Sequence, residues 1–258
     1  MAFAAAFIVL AGLSAAAYVW GLRLPRERPP VRKTALAAAF ALVALRLLLK
    51  LVPAIELTLF PWPAFGYAKL WWAFVPFSLV LGFGAATIPR NRRSIYIGLG
   101  CFLYFWFAWS HVLMLTTNYR ALAGSPDARG LCAQSTSYTC GPAAGATALR
   151  LLGVPATEAD LSVALRPTPY TGTNEHLLAL ELDRRARLTL LPGDLQRLDS
   201  FPVVATRGLS ALVDHWIVLG APEPDGIRVY DPISGVTTVP YDRLARLLNP
   251  VAIRFVSE

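Results

Sequence analysis

The chain has 258 residues, 55% hydrophobic and 16% charged, with a formal net charge of +8. That charge is uneven: residues 1–116 hold eleven Lys or Arg against Glu27 and Glu56, a net of +9, and residues 117–258 hold thirteen Arg against fourteen acids, a net of −1. Cations confined to short loops between apolar runs do not make a nucleic-acid face, which gathers them on a soluble domain, so the chain is expected to be two modules, a transmembrane helical region over 1–116 and a soluble domain over 117–258.

Four apolar stretches of the first module approach the roughly 20 residues that a bilayer requires. They run from Ala2 to Leu22, Ala35 to Leu57, Phe65 to Ile88 and Ile95 to Thr116. Arg46 and Lys50 interrupt the second, where they would snorkel or face other helices. Ser14-Ala-Ala-Ala offers a signal-peptide cleavage site, but no basic segment precedes it, which favours an uncleaved helix. Arg23, Arg26, Arg28, Arg32 and Lys33 follow the first stretch, and Arg90, Arg92 and Arg93 precede the fourth. Basic loops stay cytoplasmic, so with four spans both termini lie outside, in a multi-pass protein of the cytoplasmic membrane whose soluble domain is extracytoplasmic. Trp20, Trp62, Trp71, Trp72, Trp106 and Trp109 fall mostly near span ends, as an interfacial belt does. His111, beside Ser110, is read as a neutral hydrogen-bonding group and Cys101 as an ordinary thiol. No second histidine or carboxylate pair accompanies His111 to hold a metal. This half is expected to be an anchor, with a membrane partner protein as one thing it could recognise.

From Asn118 to Gly130 the chain is a polar connector that would free the second module from the bilayer. A helix is then expected over 141–152, ended by Gly153, with Pro142 tolerated in its first turn. Thr157-Glu-Ala-Asp160 reads as a capping box opening a second helix to Leu165, and Thr171-Gly-Thr-Asn caps a third from Glu175 to Arg185. Strands are expected over Arg187–Leu191 and Pro202–Ala205, with a short helix over Gly193–Leu198 between them. His215-Trp-Ile-Val-Leu-Gly and Ile227-Arg-Val-Tyr-Asp are β-prone runs joined by Pro222-Glu-Pro-Asp-Gly, which predicts a hairpin centred near Glu223 or Pro224. The module is therefore α+β, behind an all-α transmembrane region of about four helices.

Gln134, Cys140, His215 and Asp231, in that order, carry the chemistry. Cys140 opens the first helix of the module, where the helix dipole and free amides favour a thiolate. The hairpin brings His215 opposite or diagonal to Asp231, about 5–8 Å apart between backbones, close enough for a carboxylate to orient an imidazole. These residue types supply a nucleophile, a general base, an orienting carboxylate and, in Gln134, an oxyanion donor. His176 is the rival base, read as surface or cleft rim because it has no carboxylate partner in a neighbouring strand. Asp214 would point to the other face of its strand, and Trp216 would pack near the cleft. Cys132 is read as a reduced structural thiol rather than as Cys140's disulfide partner.

The Gln134-x5-Cys140-Gly-Pro-Ala block and the later His215-Trp-Ile-Val-Leu…Val-Tyr-Asp231-Pro block resemble the bacteriocin-processing, double-glycine leader peptidases, a papain-like cysteine peptidase family. The resemblance covers nearly all of residues 130–255. It implies a papain-like peptidase domain in which Cys140 attacks, His215 is the base, Asp231 orients it and Gln134 lines the oxyanion hole. It also implies a peptide or protein substrate and no cofactor. Many members precede a peptide-exporting ABC transporter, but this chain has no Walker Gly-x4-Gly-Lys-Ser/Thr segment, so no ATP is expected. Two other functions fit the same residues: a thiol amidase or transpeptidase acting on cell-wall or conjugated peptides, and a catalytically inactive peptide-binding domain.

Overall fold

The computed structural model describes residues 2–51, 59–60, 62–68, 71–186, 188–192, 201–210 and 213–255. They form two compact units, Met1–Leu113 and Met114–Glu258.

In the first unit α1 (Ala2–Arg23), α2 (Pro29–Leu51), α3 (Pro63–Ala68), α4 (Phe74–Thr87) and most of α5 (Arg93–Thr116) follow one another. α1 and α4 approach through glycines. A Cβ added at Gly21 would strike the Leu79 carbonyl oxygen, and one at Gly82 the Tyr18 carbonyl oxygen. Ser78-x-x-x-Gly82 is thus a small-residue stripe of the kind that lets helix backbones meet where no hydrophobic effect drives them together. Leu24, Ala35, Ala39 and Leu79 close the α1–α2–α4 core. Trp71 departs from the expected interfacial belt, being only 4% exposed. It packs with Leu10, and its ring lies 5.3 Å from that of His111, which also meets Phe7 at 4.5 Å.

Two helices among the described residues are long and apolar enough to cross a membrane by length and composition, Ala5–Arg26 and Arg93–Thr116. The expectation of about four spans is corrected here. α2 carries Arg32, Lys33, Arg46 and Lys50. The third expected stretch is broken by a turn at Trp71–Ala73, which leaves α4 with 14 residues. At 1.5 Å per residue such a helix is about 21 Å long, against a hydrocarbon core of roughly 30 Å. Without four spans, the parity argument that placed both termini outside no longer holds.

The second unit is α+β. Helices α6 (Cys140–Leu151), α7 (Glu158–Leu165) and α8 (Glu175–Arg185) pack on one another, and α9 (Tyr241–Leu247) precedes the last strand. The strands are β1 (Leu188–Pro192), β2 (Val203–Ser210), β3 (Val213–Glu223), β4 (Gly226–Asp231), β5 (Gly235–Val239) and β6 (Leu248–Phe255). They form an antiparallel sheet in the order β1-β6-β2-β3-β4-β5. α6 lies against β2, β3 and β4. The expected caps are present. Thr157 and Asp160 form the capping box of α7, and the Asn174 side chain accepts from the His176 and Leu177 amides at the start of α8. The hairpin turns at Pro224-Asp225, because Glu223 pairs with Gly226. The short helix expected over 193–198 lies outside the described residues.

The sheet core has a simple order. Side chains alternate across a strand, so Val203 and Ala205, Leu219 and Ile217, and Ile227 and Val229 share one face, and all six are buried in one cluster with Ala252 and Leu244. One further step along the same three rows reaches Arg207, His215 and Asp231.

The α1–α4 contact generates a first prediction. Gly82→Leu should force the helices apart, with the cost of an overpacked site, about 1–3 kcal/mol, read as a lowered melting temperature of the purified protein. Leu at Gly12, where an added Cβ meets nothing within 4 Å, serves as the control and should leave the melting temperature unchanged. Equal melting temperatures for the two variants would refute the glycine contact.

Candidate active site

Asp231 ends β4, and its carboxylate is almost saturated with donors. Oδ1 takes His215 Nε2 at 2.7 Å, the Ile233 amide at 2.8 Å and the Ser234 amide at 3.3 Å. Oδ2 takes the Ser234 hydroxyl at 2.6 Å and Arg207 Nη2 at 2.9 Å. Asp-Pro followed by Ile-Ser builds this cradle locally, since an aspartate readily accepts from amides two and three residues on. The register Val218↔Tyr230 sets Asp231 across from Ile217, hence diagonal to His215 and on its side of the sheet.

His215 is 2% exposed. Nε2 bonds Asp231, and the Cys140 side chain interacts with the same imidazole by hydrogen bonding and by charge. Burial alone would lower the His215 pKa, but the hydrogen bonds to Asp231 and Cys140 and the charges of both outweigh it and raise it from 6.5 to about 9. For Asp231 burial would raise the pKa, and the bonds from His215, Ser234 and the Ile233 amide reverse that, holding the carboxyl well below the usual carboxylate range.

Cys140 is the first residue of α6, and no side chain caps that helix end. Thr139 occupies the N-cap position, but its hydroxyl is spent elsewhere: it accepts from the Thr136 amide at 3.2 Å and bonds the Thr136 hydroxyl at 3.0 Å. Pro142 has no N–H and the Ala143 amide donates to the Thr139 carbonyl at 3.0 Å, so the amides this helix start offers an anion are those of Cys140 and Gly141. Gly141 is required by its surroundings, because an added Cβ would collide with the Thr173 side chain.

Gln134 sits on the loop before α6. Its own amide donates to the Pro232 carbonyl at 3.1 Å, which ties that loop to the residue after Asp231. Its side-chain Nε2 donates to the Thr136 carbonyl at 2.8 Å, which uses one of the two amide hydrogens. The structure thus brings Cys140, His215 and Asp231 together and ties the Gln134 loop to the residue after Asp231.

Arg207 is the residue that sequence reasoning missed. It is the direct cross-strand partner of His215, and its guanidinium binds the Asp231 oxygen that the imidazole does not. His176, read from sequence as surface or cleft rim, is instead buried at 1% exposure near the start of α8. Trp216 is buried as expected, and the side chain of Asp214 lies outside the described ones. Cys132 and Cys140 are both free. Burial and the nearby Glu158 charge push the Cys132 thiol up to about 12, so it holds its proton and lacks the thiolate that exchange with Cys140 requires.

An antiparallel sheet backed by helices, with a thiol, an imidazole and a carboxylate in series, defines an α+β domain built around a Cys–His–Asp cluster. The chain belongs to the same family as an uncharacterized protein of Methanothermobacter thermautotrophicus, to which it is 32% identical over 117 residues, 45% of this chain and 80% of the archaeal one. No family model matches the sequence. Among solved structures it is similar to the peptidase domain of Streptococcus ComA, a bifunctional ABC transporter of a quorum-sensing pathway (TM-score 0.44, 18% identical, 50% of this chain and 98% of that one). It is also similar to a double glycine motif protease from an AMS/PCAT transporter in complex with its leader peptide (TM-score 0.42, 15% identical, 54% and 94%). The geometry of the site, not these likenesses, carries the functional reading.

The raised His215 pKa has a signed consequence for stability. His215 binds its proton more tightly folded than unfolded, so its contribution is complete below pH 6.5 and lost as pH rises through about 9. The Asp231 contribution has the opposite sense, present above its unfolded pKa of 3.8 and lost as pH falls. Between about pH 7 and 9.5 the melting temperature of the wild type should fall relative to that of His215→Gln. Parallel melting curves for the two proteins over that interval would contradict the assignment.

Proposed function

We propose that the protein is a membrane-anchored cysteine peptidase using Cys140 as nucleophile, His215 as general base and acid, Asp231 as its orienter and Gln134 as an oxyanion donor. The observation that carries the reading is the His215 imidazole, bonded through Nε2 to a donor-saturated Asp231 and interacting with a cysteine at an uncapped helix start.

In this mechanism the Cys140 thiolate, paired with the His215 imidazolium, attacks the carbonyl carbon of a scissile amide. Negative charge moves to the carbonyl oxygen, where the Cys140 backbone N–H and the second hydrogen of the Gln134 amide receive it. His215 gives its proton to the leaving amine as the C–N bond breaks, which leaves an acyl-enzyme thioester. A water then loses its proton to His215, attacks the thioester and releases the acid and Cys140. Asp231 stays ionised throughout and fixes the imidazole in its plane, and Arg207 fixes Asp231. The partners are a peptide or protein substrate and the lipid bilayer; neither ATP nor a cofactor takes part.

The extracytoplasmic side follows, in this reading, from α5 itself rather than from a count of spans. Arg90, Arg92 and Arg93 stand at its start, and no Lys or Arg occurs between Arg93 and Arg120. The positive-inside tendency then keeps the start of α5 in the cytoplasm and delivers the second unit outside. Membrane-impermeant protease added to intact cells should digest the segment after Thr116; full protection until the cells are lysed would place the domain inside.

The activity is tested with peptide esters and amides. The wild type should form and hydrolyse an acyl-enzyme with no added amine, and Cys140→Ala should do neither. Gln134→Ala should lower kcat about 10²-fold with KM nearly unchanged, the usual cost of one oxyanion donor. Product formation that depends on added amine would identify a transferase instead. Tight peptide binding by a wild type that is never acylated would leave a receptor domain.

A further inference from the structure

Glu158 has no part in the chemistry above, yet it is a fully buried carboxylate, 0% exposed, at the first position of α7. A buried charge is tolerated only when donors surround it, and the donors here come from two separate loops. Oε1 takes the Ser135 amide at 2.8 Å. Oε2 takes the Ser135 hydroxyl and, at 3.1 Å, the Gly124 amide. The Glu158 amide in turn donates to the Gly124 carbonyl at 2.9 Å. The Ser135 hydroxyl closes the cluster by accepting from the Ala123 and Gly124 amides at 3.2 and 3.1 Å.

Ser135 adjoins Gln134, and Gly124 belongs to the connector that leaves α5. That connector was expected to be a loose tether. Instead it runs along α7, held at both ends of the helix. Arg166, the C-cap of α7, donates through Nη1 to the Met114 carbonyl at 2.6 Å, and the Tyr119 hydroxyl donates to the Pro167 carbonyl at 2.9 Å. At the other end Glu158 holds Gly124.

We propose that Glu158 is the positioning residue of the oxyanion side of the site: it fixes the Gln134–Ser135 loop against the connector, so that the conformation of residues 114–124 sets how well the oxyanion is held. The role of Gln134 in this inference rests on the peptidase reading. Gly124 supplies a lever that leaves every charge in place, because a Cβ there would enter the space of the Glu158 carboxylate and the Ala133 carbonyl. Glu158→Gln disturbs the same clamp chemically, since an amide nitrogen cannot accept from the amides it would face.

The experiment uses the whole 258-residue chain in detergent micelles and compares the wild type, Glu158→Gln and Gly124→Ala. Acylation by a peptide ester is measured beside iodoacetamide alkylation of Cys140 and Cys132, resolved residue by residue by mass spectrometry. Alkylation of Cys140 needs the thiolate–imidazolium pair but no oxyanion hole, and Cys132, fully buried two residues before Gln134 and close enough to feel the Glu158 charge, reports whether the loop stays closed. Both variants should lose about 10²-fold in kcat with KM little changed, the scale of one lost oxyanion donor. Cys140 alkylation should stay within about twofold, because the ion pair is untouched, and Cys132 alkylation should rise at least about tenfold as the clamp opens. Cys132 as protected in the variants as in the wild type would overturn the clamp, and so would equal losses of acylation and Cys140 alkylation. A wild type that is never acylated removes the peptidase reading, and Cys132 protection alone then decides whether Glu158 holds the loop.

Discussion

The site depends on one carboxylate. Asp231 is buried and charged, and five donors from three parts of the chain converge on it: a β3 histidine, a β2 arginine, and the two amides and one hydroxyl of the turn that follows β4. An isolated buried carboxylate would take up a proton, because desolvation penalises its charged form. Here donors outnumber the cost, and the charge stays to hold the imidazole. The Gln134 loop hangs on the same turn through the Pro232 carbonyl. Loss of the carboxylate would therefore release both His215 and the loop before Cys140.

Much of this was legible because it is local. A helix opening at Cys140-Gly-Pro, a capping box at Thr157, an Asn cap at residue 174 and a hairpin of two β-prone runs are all short-range signals, and the elements lie where those signals put them to within a few residues. That His215 and Asp231 lie near each other was legible because the hairpin turn brings its two strands together. A bulge between Leu219 and Pro222 shifts the register that the turn alone would set, and no local signal announced it. Nor was Arg207 legible. Its place opposite His215 is set by the β2–β3 register, a pairing with no tight turn to announce it. In isolation Thr206-Arg-Gly reads as an ordinary strand end. A signal existed in the alternation itself, because Val203, Ala205 and Arg207 form a row like Leu219, Ile217 and His215, but reading it required knowing which strands are neighbours.

The apolar N-terminal unit shows where a hydropathy window misleads. Averaging over 65–88 sees one apolar run and is blind to the turn at Trp71–Ala73, because tryptophan and alanine are as apolar in a turn as in a helix. Composition also assigned Trp71 to an interface, whereas packing against Leu10 and the His111 ring buries it. The glycines at 21 and 82 carried the opposite lesson. Counted as weak helix formers they seem a defect, yet they are what allows α1 and α4 to close on each other.

Composition was also misleading for the connector. Asn, Gly, Ser and Asp between residues 118 and 130 read as a loose tether, since each of these residues favours turns and solvent. The same polar groups become anchoring points once buried partners exist for them. The amide of Gly124 meets a carboxylate that has no water to turn to, and the side chain of Asp127 gathers the Arg129 and Leu131 amides into a closed turn. A short polar segment is ordered or loose according to whether its donors find acceptors that burial has left in need of them, and that need is a property of α7 and the Gln134 loop, not of the connector's own residues. This is why the path from Met114 to the Gln134 loop, built from Arg166, Tyr119, Gly124 and Glu158, had no sequence signature of its own.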